Sequence, residues 1–205
     1  MIIEINPTNI DNRLIKQTVD LLKKDGVIIY PTDTIYAIAC RLGSKKGLEK
    51  LAKLKNSKLN KTHFSLIFND LSHLSDYVKA IDRPTFKLLN RSLPGPFTFI
   101  LDANNTVPKL FDTNKKEIGI RIPDNEIARE IVRVLGEPLA STSLHDEDDE
   151  ILEYFTDAYE IYQRYDDSVD MIIDGGVGNL YASTIVDCTE GKVEIVRQGL
   201  GELEL

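Results

Sequence analysis

GVIIYPTDTIYAIACRLG, residues 26–43, runs Val27-Ile28-Ile29-Tyr30 straight into Pro31-Thr32-Asp33-Thr34, and an apolar run resumes at Ile35. Consecutive β-branched apolar residues read as a strand buried on both faces, the kind found in a sheet covered by helices. A strand that simply turned back would use Gly, Asn or Asp in a left-handed conformation. Proline followed by two hydroxyls around a carboxylate reads instead as a strand end that presents polar groups to something else.

Outward from this stretch the chain alternates strands and helices. MIIEI, GVIIY, FSLIF, FTFIL, EIGIRI, PLASTS, DMIID, STIVDC and KVEIVR carry the short β-branched runs of strands. Helical spacing runs from Asn12 to Lys24, with Leu14, Ile15, Val19 and Leu22 on one stripe, and recurs at Gly47–Asn56, Arg83–Asn90 and Glu126–Leu135. Gly26 is expected to end the first helix and Gly136 the fourth. The acidic, tyrosine-rich segment 145–167 reads as an addition, with a helix expected over Glu150–Tyr165. The reading is an α/β chain without internal repeats, with residues 1–205 as one domain.

With 205 residues, 42% of them hydrophobic, the chain can bury a substantial core. Its longest apolar runs are strand length, well short of the roughly 20 residues of a membrane span. The N-terminus has no signal-peptide pattern, and the expected location is the cytoplasm. Cys40 and Cys188 lie far apart in apolar surroundings, which fits buried small hydrophobes better than a disulfide or zinc site. The net charge of −8 opposes tight binding to a polyphosphate backbone. Seven lysines between Lys45 and Lys61 face one acid, Glu49, while DEDDEILE at 146–153 is strongly negative. Most lysine-rich stretches are solvated helix faces.

GxGxxG, GxxxxGK[ST] and GxSxG are all missing, and His63, His73 and His145 share no metal-ligand spacing. What remains is a series of hydroxyl-rich and arginine-bearing segments at strand ends: PTDT, LPGPFTFIL (93–101), GIRIPD (119–124), ASTS (140–143), STIVD (183–187) and VRQG (196–199). Arg121 and Arg197 each sit in or beside an apolar strand. An inward guanidinium there needs an anionic partner; the plainer alternative is an outward side chain or a pair with Asp124 or Asp187. Taken together, two arginines, three Ser/Thr clusters and a lysine-rich segment point to a cleft for a phosphorylated or carboxylated ligand.

YPTDTIYAIAC, LPGPFTFIL, GIRIPD, LASTS, STIVDC and IVRQG, in this order over nearly the whole chain, resemble the YrdC/YciO-type family, which includes the L-threonylcarbamoyladenylate synthases. The resemblance implies a three-layer α/β fold with a twisted, largely open mixed sheet and a concave basic cleft. It also implies a nucleotidyltransferase reaction. ATP, L-threonine and bicarbonate, with Mg²⁺, give threonylcarbamoyl-AMP and pyrophosphate for the t6A37 modification of tRNA. Under it, Thr34, Tyr36 and Ser183 would hold threonine. Lys55, Arg121, Ser141, Ser143 and Arg197 would serve the nucleotide and its phosphates, with no covalent protein nucleophile.

The chain departs from the synthase pattern at named places. Ser57 stands where the synthases carry the arginine of Lys-x-Arg, Ser143 where they have asparagine, and Ala37 where they have glycine. SKLNKTHFSLIF lacks their Arg-Pro and Lys-Pro-Leu pattern. Losing a planar bidentate phosphate ligand is not neutral. These departures resemble the YciO-like branch. They leave two expectations: a synthase, or a weak or inactive paralogue that binds nucleotide or double-stranded RNA.

Overall fold

The computed structural model describes residues 1–111, 116–144 and 155–204. Its strands are β1 (Ile2–Glu4), β2 (Ile28–Tyr30), β3 (Ala37–Arg41), β4 (Ser65–Ile67), β5 (Phe97–Asp102), β6 (Glu117–Arg121), β7 (Leu139–Ser143), β8 (Met171–Asp174), β9 (Thr184–Asp187) and β10 (Glu194–Arg197). The helices are α1 (Asn12–Lys23), α2 (Lys45–Leu54), α3 (Arg83–Ser92), α4 (Thr106–Phe111), α5 (Glu126–Leu135) and α6 (Ala158–Tyr165).

Short polar side chains start these helices where the sequence supplies them. Asp11, Ser44, Asp82, Asn125 and Asp157 cap α1, α2, α3, α5 and α6 by accepting from backbone N–H groups of the first turn. Gly136 closes α5 in the left-handed conformation at φ 79°. At the end of α1 the expectation for Gly26 is corrected: Asp25 takes the left-handed turn at φ 64°. Gly26 is needed for space, since a Cβ there would lie 2.7 Å from the Leu21 carbonyl oxygen.

The strands form one mixed sheet in the order β1-β8-β2-β3-β7-β4-β6-β5-β9-β10. β3 is the strand that the sequence reading did not separate out; it returns antiparallel to β2 with Ile29 opposite Ile38. α4 was also not anticipated. The helix expected over Glu150–Tyr165 begins only at Ala158, after the Asp157 cap, and its portion 150–154 lies outside the described residues. No helix of the described residues is long and apolar enough to cross a membrane.

The two faces of the sheet are covered unequally, and this creates the cleft. On one face α2, α3, α4 and α6 pack across its width, burying Leu48, Leu51, Leu89, Val107 and Ile161 against Ile29, Ile38, Leu66, Phe99, Ile120 and Val186. On the other face α1 and α5 pack Ile15, Val19, Leu22, Ile127 and Ile131 over Ile28, Ala39, Leu139 and Met171. That second layer stops near β4. Beyond it the face shows Ser65, Thr98 and Gly119, small or polar residues that need no apolar cover, with the half-buried Ile185 beside them.

Candidate functional site

The uncovered part of the sheet is the floor of a recess of ≈ 160 Å³, lined among others by Ile35, Ala37, Arg121, Ser141, Ser143, Ser183 and Arg197. It shares His63, Ser65, Thr98 and Ile185 with a second, more apolar recess of ≈ 350 Å³ that adds Phe64, Val107, Phe111, Ile118 and Val196. A Cβ on Gly119 would come 2.7 Å from Ser65 Oγ and 3.2 Å from Thr98 Cγ2, so glycine keeps this floor low. The cleft therefore has a polar end at Arg121 and an apolar end toward Phe64, as a ligand with a charged and a flat apolar part requires.

Strand alternation places most of these side chains. Ser65, Gly119 and Ser141 share a face because Ser65 pairs with both of the others. Arg121 joins them because it opposes Ile67, on the same side of β4 as Ser65. Arg197 arrives differently. The ladder between β9 and β10 shifts register between Ile195 and Arg197, so Ile195 opposes Val186 and Arg197 opposes Ile185. This bulge puts Val196 and Arg197 both over the cleft, where strict alternation would have turned the arginine away. Arg197 Nη2 donates to the Ser183 carbonyl at 2.7 Å.

The segment after Arg197 clamps this corner. Gly199 N–H donates to Thr184 Oγ1 at 2.9 Å, and Leu200 N–H donates to the Ala182 carbonyl at 2.9 Å. A Cβ at Gly199 would sit 2.3 Å from the Ala182 carbonyl oxygen, so the approach requires glycine. Thr98 Oγ1 and Ser183 Oγ lie 2.9 Å apart, both buried.

Arg121 is buried, and its carboxylate partner is neither Asp124 nor Asp187 but Asp33, at 2.6 Å. Asp124 lies beside Arg129, and Asp187 accepts from Thr189. The same Nη2 atom donates to Thr34 Oγ1 at 2.6 Å and Thr32 Oγ1 at 3.1 Å. Thr32 donates its own proton to the Ile35 carbonyl at 2.7 Å, so the Thr34 hydroxyl is the donor in the 3.2 Å contact between the two threonines. PTDT is thus a tight turn closed on itself and on Arg121.

Several expected ligand groups are already engaged or stand apart from the recess. Thr34 is fully buried and outside its lining. Tyr36 is also buried; its hydroxyl donates to the Gly176 carbonyl at 2.6 Å and accepts from Gly175 N–H at 3.2 Å. Burial pushes the Tyr36 phenol up to about 12. Ser141 Oγ donates to the Ile38 carbonyl at 3.1 Å, which makes Tyr30 the donor in their 2.9 Å bond. Lys55 caps the end of α2 and lines neither recess. Five expected residues, Arg121, Ser141, Ser143, Ser183 and Arg197, do meet in one recess.

Ser65, Thr98, Thr142 and Gly119 belong to the site and were not singled out in the sequence. Thr98 had a signal: it is the one polar residue in the apolar run Phe97–Leu101.

A family model covering the Sua5, YciO and YrdC proteins, described under telomere recombination, matches residues 20–199. The chain belongs to the Sua5/YciO/YrdC family. It is 39% identical over 202 residues to the uncharacterised protein YciO of Escherichia coli K12, covering 98% of this chain and 96% of that one. To a Methanocaldococcus jannaschii protein that carries the provisional name threonylcarbamoyl-AMP synthase it is 31% identical over 204 residues, covering 97% and 93%. The crystal structure of E. coli YciO superposes with a TM-score of 0.89 at 36% identity, over 100% of this chain and 98% of that one. Sua5 of P. abyssi, complexed with L-threonine, shares the fold at a TM-score of 0.86 and 21% identity, with 97% of this chain matching 57% of that one. Within the family the chain is nearer YciO than the M. jannaschii protein.

Proposed function

We infer that the cleft binds ATP and L-threonine and makes threonylcarbamoyl-AMP. The observation that carries this reading is the convergence of Arg121, Ser141, Ser143, Ser183 and Arg197 on the uncovered part of the sheet, in a chain of this family. The L-threonine bound to P. abyssi Sua5 and the provisional name of the M. jannaschii relative support the choice of substrate.

The apolar recess around Phe64, Ile100, Ile185 and Val196 suits a nucleobase, and the arginine end suits phosphates and a carboxylate. In the reaction the threonine amine adds to bicarbonate with loss of water, giving a carbamate. A carbamate oxygen then attacks the α-phosphorus as the bond to pyrophosphate breaks. The protein's part is to align the two anions in line and to meet the growing charge with fixed donors. Arg197 and Arg121 supply cations, and the buried hydroxyl pairs keep the floor rigid. The described residues hold no cluster of three or more potential metal ligands, so the fit is to Mg²⁺ carried by the triphosphate, where it would neutralise phosphate charge.

The test is incubation with ATP, Mg²⁺, L-threonine and labelled bicarbonate. Product must depend on all three substrates, and Arg197→Ala should lower the rate at least tenfold, the order expected for one charged hydrogen bond.

A second reading, a module that binds nucleotide or structured RNA without catalysis, is favoured by the basic segment. Lys55 stands outside the recess, and the Ser57 hydroxyl donates to the Lys58 carbonyl at 3.4 Å. Lys45, Lys46, Lys53, Lys58 and Lys61 are exposed. ATP binding without product, from both the native chain and Ser57→Arg, selects this second reading.

A further inference from the structure

The Arg121–Asp33 pair is buried, close and incomplete on both sides. The two side chains are 9% and 10% exposed and meet at 2.6 Å. Arg121 sends one nitrogen, Nη2, to Asp33, Thr32 and Thr34, although that nitrogen carries two hydrogens for three acceptors. Among the described residues its Nε is buried without a partner, and so is Asp33 Oδ2. Arginine and carboxylate ordinarily favour two parallel bonds, and here one is made. Buried polar atoms left unpaired are rare enough to call for an explanation. Arg121 also lines the recess, so an oxyanion entering there can offer Nε and an Nη the forked contact that Asp33 withholds.

We propose that Asp33 is the cleft's built-in counter-anion, holding Arg121 while no anion is bound and yielding it to an entering phosphate or carboxylate group. Net affinity then reflects the exchange of one ion pair for another. A ligand must bring further contacts, to Arg197 and the hydroxyls, before it displaces a carboxylate already in place. Asp33 therefore selects against small lone anions, an effect opposite in sign to that of the cations around it. The proposal rests on reading the recess as an anion site and adds to that reading a residue that sets its selectivity.

Inorganic pyrophosphate is the probe, titrated by calorimetry at fixed ionic strength into the native chain and into Asp33→Asn, which keeps the shape of the turn. Removing the competitor should tighten binding roughly tenfold, the order of one charged hydrogen bond, and Asp33→Glu should return it toward the native value. A folded Asp33→Asn chain that binds pyrophosphate no better than native overturns the proposal and leaves the anion site standing. Should Asp33→Asn fail to fold, the native chain still decides: the Arg121 Nε–H resonance, assigned by its loss in Arg121→Lys, must shift on saturation. An unmoved resonance in a pyrophosphate-bound chain also overturns the role of Asp33. No binding by any folded form removes the anion site, and the proposal with it.

Discussion

Thr34 shows how completely the PTDT turn is committed to its own structure. Its hydroxyl accepts from Arg121 and donates to Thr32, with no exposure to solvent. Thr34→Ala should therefore destabilise the fold by about 1.5–3 kcal/mol, the worth of a hydrogen bond to a charged group, while Thr34→Ser keeps most of it. Urea unfolding checks this, with an unchanged midpoint in Thr34→Ala counting against the network. Tyr30 supports the neighbouring Ser141 through one neutral bond, so Tyr30→Phe should cost about 0.5–1.5 kcal/mol in the same measurement. The sequence showed that Arg121 would need an anion if it pointed inward, but neither its direction nor which anion. Asp124 and Asp187 are near an arginine in sequence, whereas Asp33 lies in the connection between β2 and β3 and meets Arg121 across the sheet, with β3, β7 and β4 between β2 and β6. Hydroxyls were legible as candidates, but their engagement with the backbone is a property of the folded turn.

Among the elements, β10 matters most for the site, because its bulge aims Arg197. Gly199 follows two residues after Arg197 and lies against the backbone of residues 182 and 183. Gly199→Ala should push this segment off β9, destabilise the protein by roughly 1–3 kcal/mol through overpacking, and loosen Arg197 from the Ser183 carbonyl. Amide exchange should then speed up across β9 and β10 while β1, β2 and β8 keep their protection; uniform protection would contradict the clamp. Most strands and the four long amphipathic helices were legible because their periodicity is strong. β3 was not assigned, although the apolar run resuming at Ile35 was plain, because Ala37–Arg41 carries one β-branched residue among alanines and so lacks a strand's composition. The bulge left no mark, since one extra residue in KVEIVR changes the face of Arg197 without changing composition.

At the scale of the whole molecule, buried acids with raised pKa values tie stability to alkaline pH. Burial lifts the Tyr30 and Tyr36 phenols from 10.0 to about 12, the Cys40 thiol from 9.0 to about 12 and the Cys188 thiol from 9.0 to about 11. The unfolded chain releases these protons first, so it binds fewer protons than the folded chain above pH 9, and stability falls as pH rises. The contribution is whole below pH 9 and lost progressively between about 9 and 12. Unfolding midpoints should drop steeply over that window, and Cys40→Ala should flatten the early part of the drop. A flat profile up to pH 12 would contradict the burial of these groups.

The unequal covering of the sheet is the feature on which the functional account depends: α1 and α5 close one part of a face and leave the rest uncovered. Periodicity showed that helices and strands alternate, but not where the second helical layer stops, because that depends on which strands lie beneath it. The most direct test is a crystal structure grown with ATP, Mg²⁺ and L-threonine. The account predicts the phosphates within hydrogen-bond reach, about 3.5 Å or less, of Arg197 and Arg121, with the base toward Phe64 and Ile185. A nucleotide bound elsewhere, such as the polar recess around Asp70, His73 and Glu137, with the floor at Ser65 and Gly119 empty, would contradict it.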